Sequence, residues 1–511
     1  SGSDQWHTTG VERLGIPAIM LSDGPHGLRV QPERSELADI HSSLPSTCFP
    51  TGSAQAATWD RDLIRRVGQA IGREAREKGV SVVLGPAINI KRSPLGGRNF
   101  EYLSEDPYLA GELGLAWVEG VQSRRVGTSL KHFAANNQER LRMVIDAVVD
   151  ERTLREIYLP AFERVIIRGK PWTVMCAYNR LNGVYCSEHP WLLNTLLRDE
   201  WGYDGAVVTD WGACNDRAAG VAAGQDLEMP YSGGMNSRAI VEAIESGRLS
   251  TTELDRSVER NLRLVVAAAE AAGAEIHGAG AEIHGAEDTT GAGAQWAYDP
   301  EEHHELAKEV ARRAMVLLKN EAVSDGTSAL PLPRDGRIAF LGAFAEEPRI
   351  QGGGSSHVHP YRVETPLEKA RRILGDGGTI SYAPGYSVSS PEVEGETLEA
   401  AREVAAEADR VVVFVGLTEI FESEGFDREH LRIPENHRAL IEAACEVNDE
   451  VVVVLSNGAP VEMPWVDLPK AILESYLAGE GGGGAGAEIL LGLVSPSGKL
   501  AESVPGRRDD T

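Results

Sequence analysis

In the stretch Ala206-Val207-Val208-Thr209-Asp210-Trp211-Gly212, a short apolar run is followed at once by polar and aromatic residues. Such a run, bounded by turn-forming residues, is typical of a buried strand. Asp210 then lies where the strand ends. Helix capping explains an Asp at such a position more often than catalysis does, so this residue alone identifies no function.

Four similar apolar runs precede this stretch, at residues 17–21, 80–84, 128–130 and 172–177. Amphipathic helical patterns lie between them. One covers about residues 151–167, and another begins near residue 60 and has four apolar residues on one face: Leu63, Ile64, Val67 and Ile71. Alternating strands and helices predict a parallel sheet, and over residues 1–265 the leading form is a (β/α)8 TIM-like barrel.

Polar side chains follow the predicted strands at their carboxyl ends, where barrel enzymes gather their catalytic groups. The set is Asp23, Asn89, Arg92, Arg98, Lys131, His132, Tyr178, Asn179, Asp210, Trp211 and Glu228. Charged and amide groups bind hydroxyls directionally, and Trp stacks on the apolar face of a sugar ring. The set therefore predicts a site for a neutral sugar.

Glycoside cleavage with retention of configuration needs two carboxyl groups about 5–5.5 Å apart. Asp210 is a candidate nucleophile, and Lys131 and Arg98 nearby would favour its ionised form. The acid/base partner is left open by the strand pattern. The candidates in the first half are Glu101, Glu105, Glu139 and Glu228.

Residues 266–298 are predicted to form a low-complexity linker, in which GAEIHGA occurs at 273–279 and again at 280–286. His277 and His284 in these repeats are the residue type that binds metals, but no Cys or Asp cluster completes a site. Beyond the linker, a helix is predicted over Glu301–Lys319. Strands are predicted at 337–341, 410–415, 450–455 and 470–476, so residues 299–511 are expected to form an α/β sandwich domain.

Charge and cysteine content narrow the classes of function. A net charge of −27 and a pI near 5.0 argue against nucleic acid and anionic membrane surfaces as partners. The five cysteines are scattered without a CxxC pair, so we expect no disulfide framework, no metal site and no cofactor. No signal peptide opens the chain, which favours a cytoplasmic location, with secretion as the alternative because Ser1-Gly2-Ser3 does not resemble a native start.

Several segments occur in an order typical of one enzyme family. They are Leu21-Ser-Asp-Gly-Pro-His-Gly-Leu-Arg29, Gly97-Arg-Asn-Phe-Glu-Tyr-Leu-Ser-Glu-Asp106, Lys131-His-Phe-Ala-Ala-Asn-Asn-Gln-Glu139, Val208-Thr-Asp-Trp-Gly212 and Glu422-Ser-Glu-Gly-Phe-Asp-Arg428. Together they resemble glycoside hydrolase family 3, in its two-domain β-glucosidase-type branch. The resemblance covers nearly the whole chain and implies a TIM-like barrel followed by an α/β sandwich.

The resemblance also implies a function and residue roles. It implies a retaining β-glycosidase that hydrolyses terminal non-reducing β-D-glucosyl residues of small-molecule or oligosaccharide glucosides. Asp210 matches the family nucleophile, and Glu424 matches the acid/base of the second domain, with Glu422 as the runner-up. The implied glucose-binding set is Asp23, Arg98, Lys131, His132 and Tyr178, with Trp211 stacking near the entrance. No nucleic-acid or membrane partner is implied, and a homo-oligomer is left open.

Four other functions remain in view. A β-xylosidase or arabinosidase of the same family often has Cys rather than Trp after the nucleophile. A β-N-acetylglucosaminidase has K-H-F-P-G-H-G, where this chain has Lys131-His-Phe-Ala-Ala. A non-catalytic carbohydrate-binding relative is the third. The run Gly479–Gly484 satisfies G-x-G-x-x-G and so admits a nucleotide-binding protein, although an almost all-glycine run matches any glycine pattern.

Relatives in this family usually continue beyond Pro496-Ser-Gly-Lys-Leu500, often into a fibronectin-like third domain. We therefore expect this chain to be a piece of a longer protein, with residues missing at both ends.

Overall fold

The structure, a computed structural model, describes residues 1–31, 43–273 and 298–505. Contacts within the chain divide it into two compact units. Unit 1 comprises Ser1–Ser35, Arg61–Ile90 and Asp106–Asp299, and unit 2 comprises Glu36–Asp60, Lys91–Glu105 and Pro300–Thr511. Two short stretches of the first half of the chain thus group with the second half.

Unit 1 is an α/β unit whose main sheet is parallel. Its strands are β1 (Leu21–Asp23), β2 (Val82–Leu84), β3 (Gly127–Phe133), β4 (Asp146–Ala147), β5 (Thr173–Cys176), β6 (Arg180–Leu181), β7 (Val184–Tyr185) and β8 (Ala206–Thr209). The main sheet has the order β1-β2-β3-β5-β8, and β4, β6 and β7 form a separate small sheet. The predicted strands at 80–84, 128–130, 172–177 and 206–208 overlap β2, β3, β5 and β8, and the sheet is parallel as predicted. The strand predicted at 17–21 is wrong in its bounds: β1 begins only at Leu21, and Met20 forms an isolated bridge with His7. Every residue of the main sheet is buried, as expected for parallel strands covered on both faces.

The two edges of this sheet are linked through backbone hydrogen bonds. Val208 of β8 pairs in parallel with Leu227, and the N–H of Gly2 donates to the carbonyl of Glu228 at 3.1 Å. The N–H of Thr8 donates to the carbonyl of Ile19 at 3.0 Å, just before β1. This path from β8 to β1 makes the sheet barrel-like. The strands and the segments along this path contribute to one apolar core cluster: Ile19, Leu21, Val82, Leu84, Met175, Val208, Leu227 and Met229.

Helices alternate with the strands of unit 1. They are Arg61–Glu77, Pro107–Gln122, Glu151–Thr153 continuing as Leu154–Tyr158, Pro160–Gly169, Trp191–Glu200, Arg217–Ala223, Met235–Glu245 and Thr251–Ala271, with short turns at Glu12–Leu14 and Cys186–Glu188. The first buries the predicted apolar face of Leu63, Ile64, Val67 and Ile71. Both helices predicted from periodicity are therefore confirmed.

The helix Thr251–Ala271 begins at a capping box and ends later than the sequence indicated. Ser250 caps the N–H of Glu253 at 3.2 Å, and the Glu253 carboxylate accepts from the N–H of Ser250 at 2.8 Å. The helix continues past residue 266 because its inner face packs into the core through Leu264, Val265 and Ala268. The two GAEIHGA repeats, with His277 and His284, lie outside the described residues apart from Gly273.

Unit 2 contains a six-stranded sheet. Its strands are β9 (Val316–Asn320), β10 (Gly336–Leu341), β11 (Gly378–Ala383), β12 (Arg410–Gly416), β13 (Val451–Ser456) and β14 (Ala471–Glu474). The order is β11-β10-β12-β13-β14-β9, parallel except for β9. The helices are Gly52–Ala57, Pro300–Ala314, Pro366–Leu374, Gly395–Ala406, Glu435–Val447 and Gly482–Leu490, with a short turn at Ala343–Ala345. This confirms the α/β sandwich.

The helix predicted over Glu301–Lys319 is wrong in its last turn. The helix ends at Ala314, and Val316–Asn320 is strand β9, antiparallel to β14. The run Val316-Leu317-Leu318 fits the apolar face of a helix equally well. Pairing with a strand more than 150 residues later settles the conformation, and no local pattern records that pairing. The edge strand β11 was not predicted, since its residues alternate between half-buried and exposed.

The glycine run 479–484 is explained by close packing within unit 2. A Cβ at Gly481 would lie 2.8 Å from the Cβ of Lys308, and one at Gly482 would lie 2.6 Å from the Cβ of Ala478. A Cβ at Gly483 would collide with the carbonyl of Glu364. Neighbouring backbone and side chains thus occupy the space that larger residues would need. Packing accounts for the match to a nucleotide-binding pattern.

A buried ionic network joins the helix Pro300–Ala314 to this glycine-rich turn. His304 Nδ1 lies 2.8 Å from Glu480 and its Nε2 lies 3.6 Å from Glu364, while Lys308 Nζ contacts Glu364 at 2.7 Å. Burial alone would lower the pKa of His304. Hydrogen bonds to the carboxylates of Glu364 and Glu480 outweigh burial and raise it to about 9.

This network predicts how the stability of the protein depends on pH. The raised pKa of about 9 in the folded state exceeds the usual value of 6.5, so the stabilisation is full below pH 6.5. This contribution to the free energy of unfolding, about 2–3 kcal/mol, is lost as the pH rises through 9. We expect urea midpoints to fall between pH 6.5 and 9.5 in the parent protein, with a smaller fall in His304→Gln. Parallel pH dependences in the two proteins would contradict this assignment.

Candidate active site

The register of three parallel strands brings their following residues to one edge of unit 1. The N–H of Ala177 donates to the carbonyl of Phe133 at 2.8 Å, and the N–H of Asp210 donates to the carbonyl of Cys176 at 3.2 Å. Since β3, β5 and β8 are neighbours, residues just beyond their ends become neighbours too. The structure thus brings the carboxyl ends of β3, β5 and β8 together, and the roles predicted for the residues there stay predictions.

Asp210 is held in a defined orientation at this edge. Its Oδ1 accepts from the N–H of Trp211 at 2.7 Å, and its Oδ2 lies 3.7 Å from His132 Nε2. The His132 side chain is 1% exposed and that of Asp210 is 11% exposed. The backbone donor and the imidazole fix the orientation of the Asp210 carboxylate. The small exposed part of this carboxylate is where a substrate could reach it.

Asn89 holds the backbone of His132 through two reciprocal hydrogen bonds. The N–H of His132 donates to Asn89 Oδ1 at 2.8 Å, and Asn89 Nδ2 donates to the carbonyl of His132 at 2.8 Å. Asn89 was identified only as a polar residue after β2. Its positioning of His132 could not be predicted, because the sequence pattern groups the strand-end residues but does not show which of them touch.

A second buried pair lies along the same edge. Lys131 Nζ is 3.4 Å from Asp23 Oδ1, and the side chains are 2% and 10% exposed. Charged groups this far removed from water are stable only when paired, and each of these two side chains offers the other such a partner. Their oxygen and nitrogen atoms match the donors and acceptors of sugar hydroxyls.

Aromatic side chains complete the edge in unit 1. The hydroxyl of Tyr178 donates to the carbonyl of Trp211 at 3.0 Å, and Trp211 Nε1 donates to the carbonyl of Gln5 at 2.8 Å. The ring of Trp6 lies 5.5 Å from that of Trp211, centroid to centroid. Gln5 and Trp6 were not predicted as part of the site, because only the tertiary fold brings the N-terminal segment to β8.

Unit 2 contains the other predicted acidic residue. Glu424 Oε2 accepts from the N–H of Ser355 at 2.6 Å, and its Oε1 lies 3.7 Å from Arg98 Nη1. Arg98 also pairs with Glu101 at 2.6 Å. Arg98 therefore groups with unit 2 beside Glu424, and the influence on Asp210 expected from its sequence position stays a prediction.

The structure distinguishes Glu424 from its runner-up Glu422. The Glu422 side chain is fully buried, pairs with Arg349 at 3.0 Å, and accepts from the N–H of Gly458 at 3.1 Å. Glu424 is 12% exposed. A carboxylate enclosed in structural contacts cannot reach a substrate, so within unit 2 Glu424 is the better candidate for proton transfer.

The other acidic candidates also have structural partners. Glu105 accepts from the Ser503 hydroxyl at 2.7 Å, and Glu139 pairs with Arg142 at 2.8 Å. Glu228 accepts from Asn236 and, at 3.4 Å, from Ser232. These contacts fit structural roles, and Glu101 is engaged by Arg98 as described above.

Within residues 1–31, 43–273 and 298–505, no three His, Cys, Asp or Glu side chains are grouped so that they could bind a metal ion. No helix within the described ranges has the length and apolar character needed to cross a membrane. All five cysteines fall within those ranges and are free thiols.

The fold is that of an α/β protein whose unit 1 gathers carboxylate, imidazole, ammonium and aromatic side chains at one edge of a parallel sheet. Comparison with known proteins then gives the family. Residues 5–264 match the glycosyl hydrolase family 3 N terminal domain, and residues 315–511 match the glycosyl hydrolase family 3 C-terminal domain. The chain belongs to glycosyl hydrolase family 3, which confirms the resemblance noted in the sequence.

Similar proteins include a thermostable β-glucosidase B from Acetivibrio thermocellus, 52% identical over 505 residues, which are 99% of this chain and 64% of that protein. An exo-α-(1→6)-L-arabinopyranosidase from Bifidobacterium longum is 44% identical over 515 residues, with the same 99% and 64% coverage. A crystal structure of a GH3 β-glucosidase from Bifidobacterium adolescentis has a TM-score of 0.88 and 44% identity, covering 100% of this chain and 70% of that one. This chain thus spans less than two thirds of the length of these two curated relatives.

Proposed function

We propose that this chain forms the catalytic part of a retaining β-glycosidase that removes terminal β-D-glucosyl residues. The observation that carries the proposal is the environment of Asp210, which follows a buried parallel strand and lies 3.7 Å from His132. Membership of glycosyl hydrolase family 3 supports it, as does the similarity to two proteins named β-glucosidase.

In the proposed mechanism, Asp210 attacks the anomeric carbon and the bond to the leaving oxygen breaks. Glu424 gives its proton to that oxygen, so the aglycone departs as a neutral alcohol. Glu424, now a carboxylate, takes a proton from water. The resulting hydroxide equivalent attacks the anomeric carbon and frees the Asp210 carboxylate, so that both residues return to their starting states.

The proposed sugar-binding residues have roles that follow from their chemistry. The Asp23–Lys131 pair and His132 offer an acceptor and donors for ring hydroxyls, and Arg98 adds a charged donor. Tyr178 and Trp211 present aromatic surface to the apolar face of the ring. We further propose that residues 1–265 supply the nucleophile and residues 299–511 the acid/base. The linker predicted over 266–298 excludes its first six residues, which belong to the helix Thr251–Ala271.

A second candidate is an α-L-arabinopyranosidase within the same family. Its support is the Bifidobacterium longum relative of that name, 44% identical to this chain. Trp211 after the proposed nucleophile favours a glucosidase, because the xylosidase and arabinosidase branch often has Cys at that position.

A substrate panel tests these proposals together. Purified protein is incubated, without added cofactor, with 4-nitrophenyl β-D-glucoside, β-D-xyloside and α-L-arabinopyranoside, and kcat/KM is compared. We expect the glucoside to be preferred by about tenfold or more, since a pocket for the extra hydroxymethyl group discriminates by at least that factor. Preference for the arabinopyranoside would replace the first candidate with the second. Sugar binding without hydrolysis of any of the three would favour the non-catalytic relative.

A further inference from the structure

The segment Arg349–Val358 folds back on itself within unit 2 and is here called the 349–358 loop. Gln351 closes it, since its Nε2 donates to the carbonyl of Val358 at 2.7 Å and its Oε1 accepts from the N–H of Val358 at 2.8 Å. Gln351 is buried, so these two bonds are protected from water. The loop is therefore a defined structural element.

Glu424 lies directly on this loop. Its N–H donates to the carbonyl of Gly353 at 3.2 Å, and its carboxylate accepts from the N–H of Ser355 at 2.6 Å. Both the backbone and the side chain of Glu424 are thus fixed by residues two positions apart. A carboxyl group that must meet a leaving oxygen within hydrogen-bond distance depends on such fixation.

Gly354, between these two residues, leaves the space in which the Glu424 side chain lies. Its φ of +110° is a conformation that other L residues rarely adopt. A Cβ at Gly354 would collide with the Cβ of Glu424 and lie 2.6 Å from its Oε2. Any larger residue here must displace either the loop or the carboxyl group.

Arg349 anchors the other side of this arrangement. Its guanidinium donates to the carbonyl of Leu417, to the carboxylate of Glu422 at 3.0 Å, and to the carbonyl of Glu422 at 2.7 Å. Its side chain is 6% exposed. Arg349 thus ties the start of the 349–358 loop to the segment that leads into Glu424, and Glu422 serves as its partner.

We propose that the 349–358 loop is a positioning element for the acid/base, with Gly354 making room for the Glu424 carboxyl group and Arg349 anchoring its segment. This inference rests on the proposed function, in which Glu424 transfers the proton. In this proposal both residues act through Glu424. Substitution of Gly354 or Arg349 should therefore impair proton transfer alone.

The test compares substrates that differ in their need for acid. Methyl β-D-glucoside has a poor leaving group, which needs a proton. Gly354→Ala should lower kcat/KM for this substrate by about 10²-fold, the effect expected of a 1 Å misplacement of the Glu424 carboxyl group. In 2,4-dinitrophenyl β-D-glucoside, the leaving group departs as the dinitrophenolate anion and needs no proton. For this substrate, kcat/KM should change by less than about threefold. Arg349→Lys, which keeps the charge but not the fork of donors, should show the same pattern more weakly.

Gly326→Ala is the matched control, because Gly326 also has a positive φ, +82°, in unit 2 but has no atom within 4 Å of its added Cβ. The Gly326→Ala variant should have the parent value of kcat/KM for both substrates. Equal losses of Gly354→Ala on the two substrates, or no loss on either, would overturn the inference.

Glu424→Ala is measured beside these variants, to separate the inference from the proposed function. If Glu424→Ala shows the selective loss and Gly354→Ala does not, only the positioning inference falls. If Glu424→Ala lacks the selective loss, the proposed role of Glu424 falls, and the inference falls with it.

Discussion

Asp210→Ala is expected to lower kcat for 4-nitrophenyl β-D-glucoside by about 10⁴-fold or more, because no covalent intermediate can form without the nucleophile. Azide should partly restore turnover by attacking the anomeric carbon in its place. That attack comes from the face that Asp210 would have used, so the product should be α-glucosyl azide. NMR of the product and initial rates measure both effects.

Asp204→Ala is the control for this prediction. Asp204 is an exposed carboxylate of unit 1, a few residues before β8. Its removal should leave kcat within about twofold of the parent value, as for most exposed positions. Full activity in Asp210→Ala would contradict its assignment as nucleophile.

Glu424→Ala is expected to have the second largest effect, and that effect should depend on the substrate. On methyl β-D-glucoside, kcat/KM should fall by about 10³-fold, within the usual contribution of general acid catalysis. On 2,4-dinitrophenyl β-D-glucoside, kcat/KM should be nearly unchanged, while kcat falls because water is no longer activated. Azide attacks the glycosyl-enzyme without a base, so it should raise kcat and give β-glucosyl azide.

Glu429→Ala is the matched control, since Glu429 is an exposed glutamate of the same segment. It should show neither the dependence on the leaving group nor the response to azide. A Glu424→Ala protein that makes α-glucosyl azide, or that loses the same factor on both substrates, would contradict the acid/base role. The configuration of the azide product thus separates the two carboxylates.

The parallel sheet of unit 1 was predictable because buried strands have short apolar runs, and four of the five predicted runs overlap its strands, while the run at 17–21 shares only Leu21 with β1. Its polar edge was predictable for a related reason. In a parallel sheet, the carboxyl ends of the strands lie at one edge, so Asp23, Lys131, His132 and Asp210 could be grouped without knowing which pairs touch. Their exact places were not predicted: Asp23 ends β1, and Lys131 and His132 belong to β3, which continues to Phe133.

The remaining features depend on contacts between distant parts of the chain. Strand β9 continues an apolar helix pattern and is a strand only because it pairs with β14. Trp6 reaches Trp211 through the fold of the N-terminal segment. Gly354 and Arg349 have no local pattern of their own, since their importance comes from the atoms of Glu424 and Glu422 against them.

The most direct test of the central claim is trapping with 2,4-dinitrophenyl 2-deoxy-2-fluoro-β-D-glucoside, followed by peptide mapping. The fluorine slows both steps, and the activated leaving group lets the first outrun the second, so a glycosyl-enzyme accumulates. We predict time-dependent inactivation and one labelled peptide, with the 2-fluoroglucosyl group on Asp210. A label on any other carboxylate, or hydrolysis without a covalent label, would contradict the account.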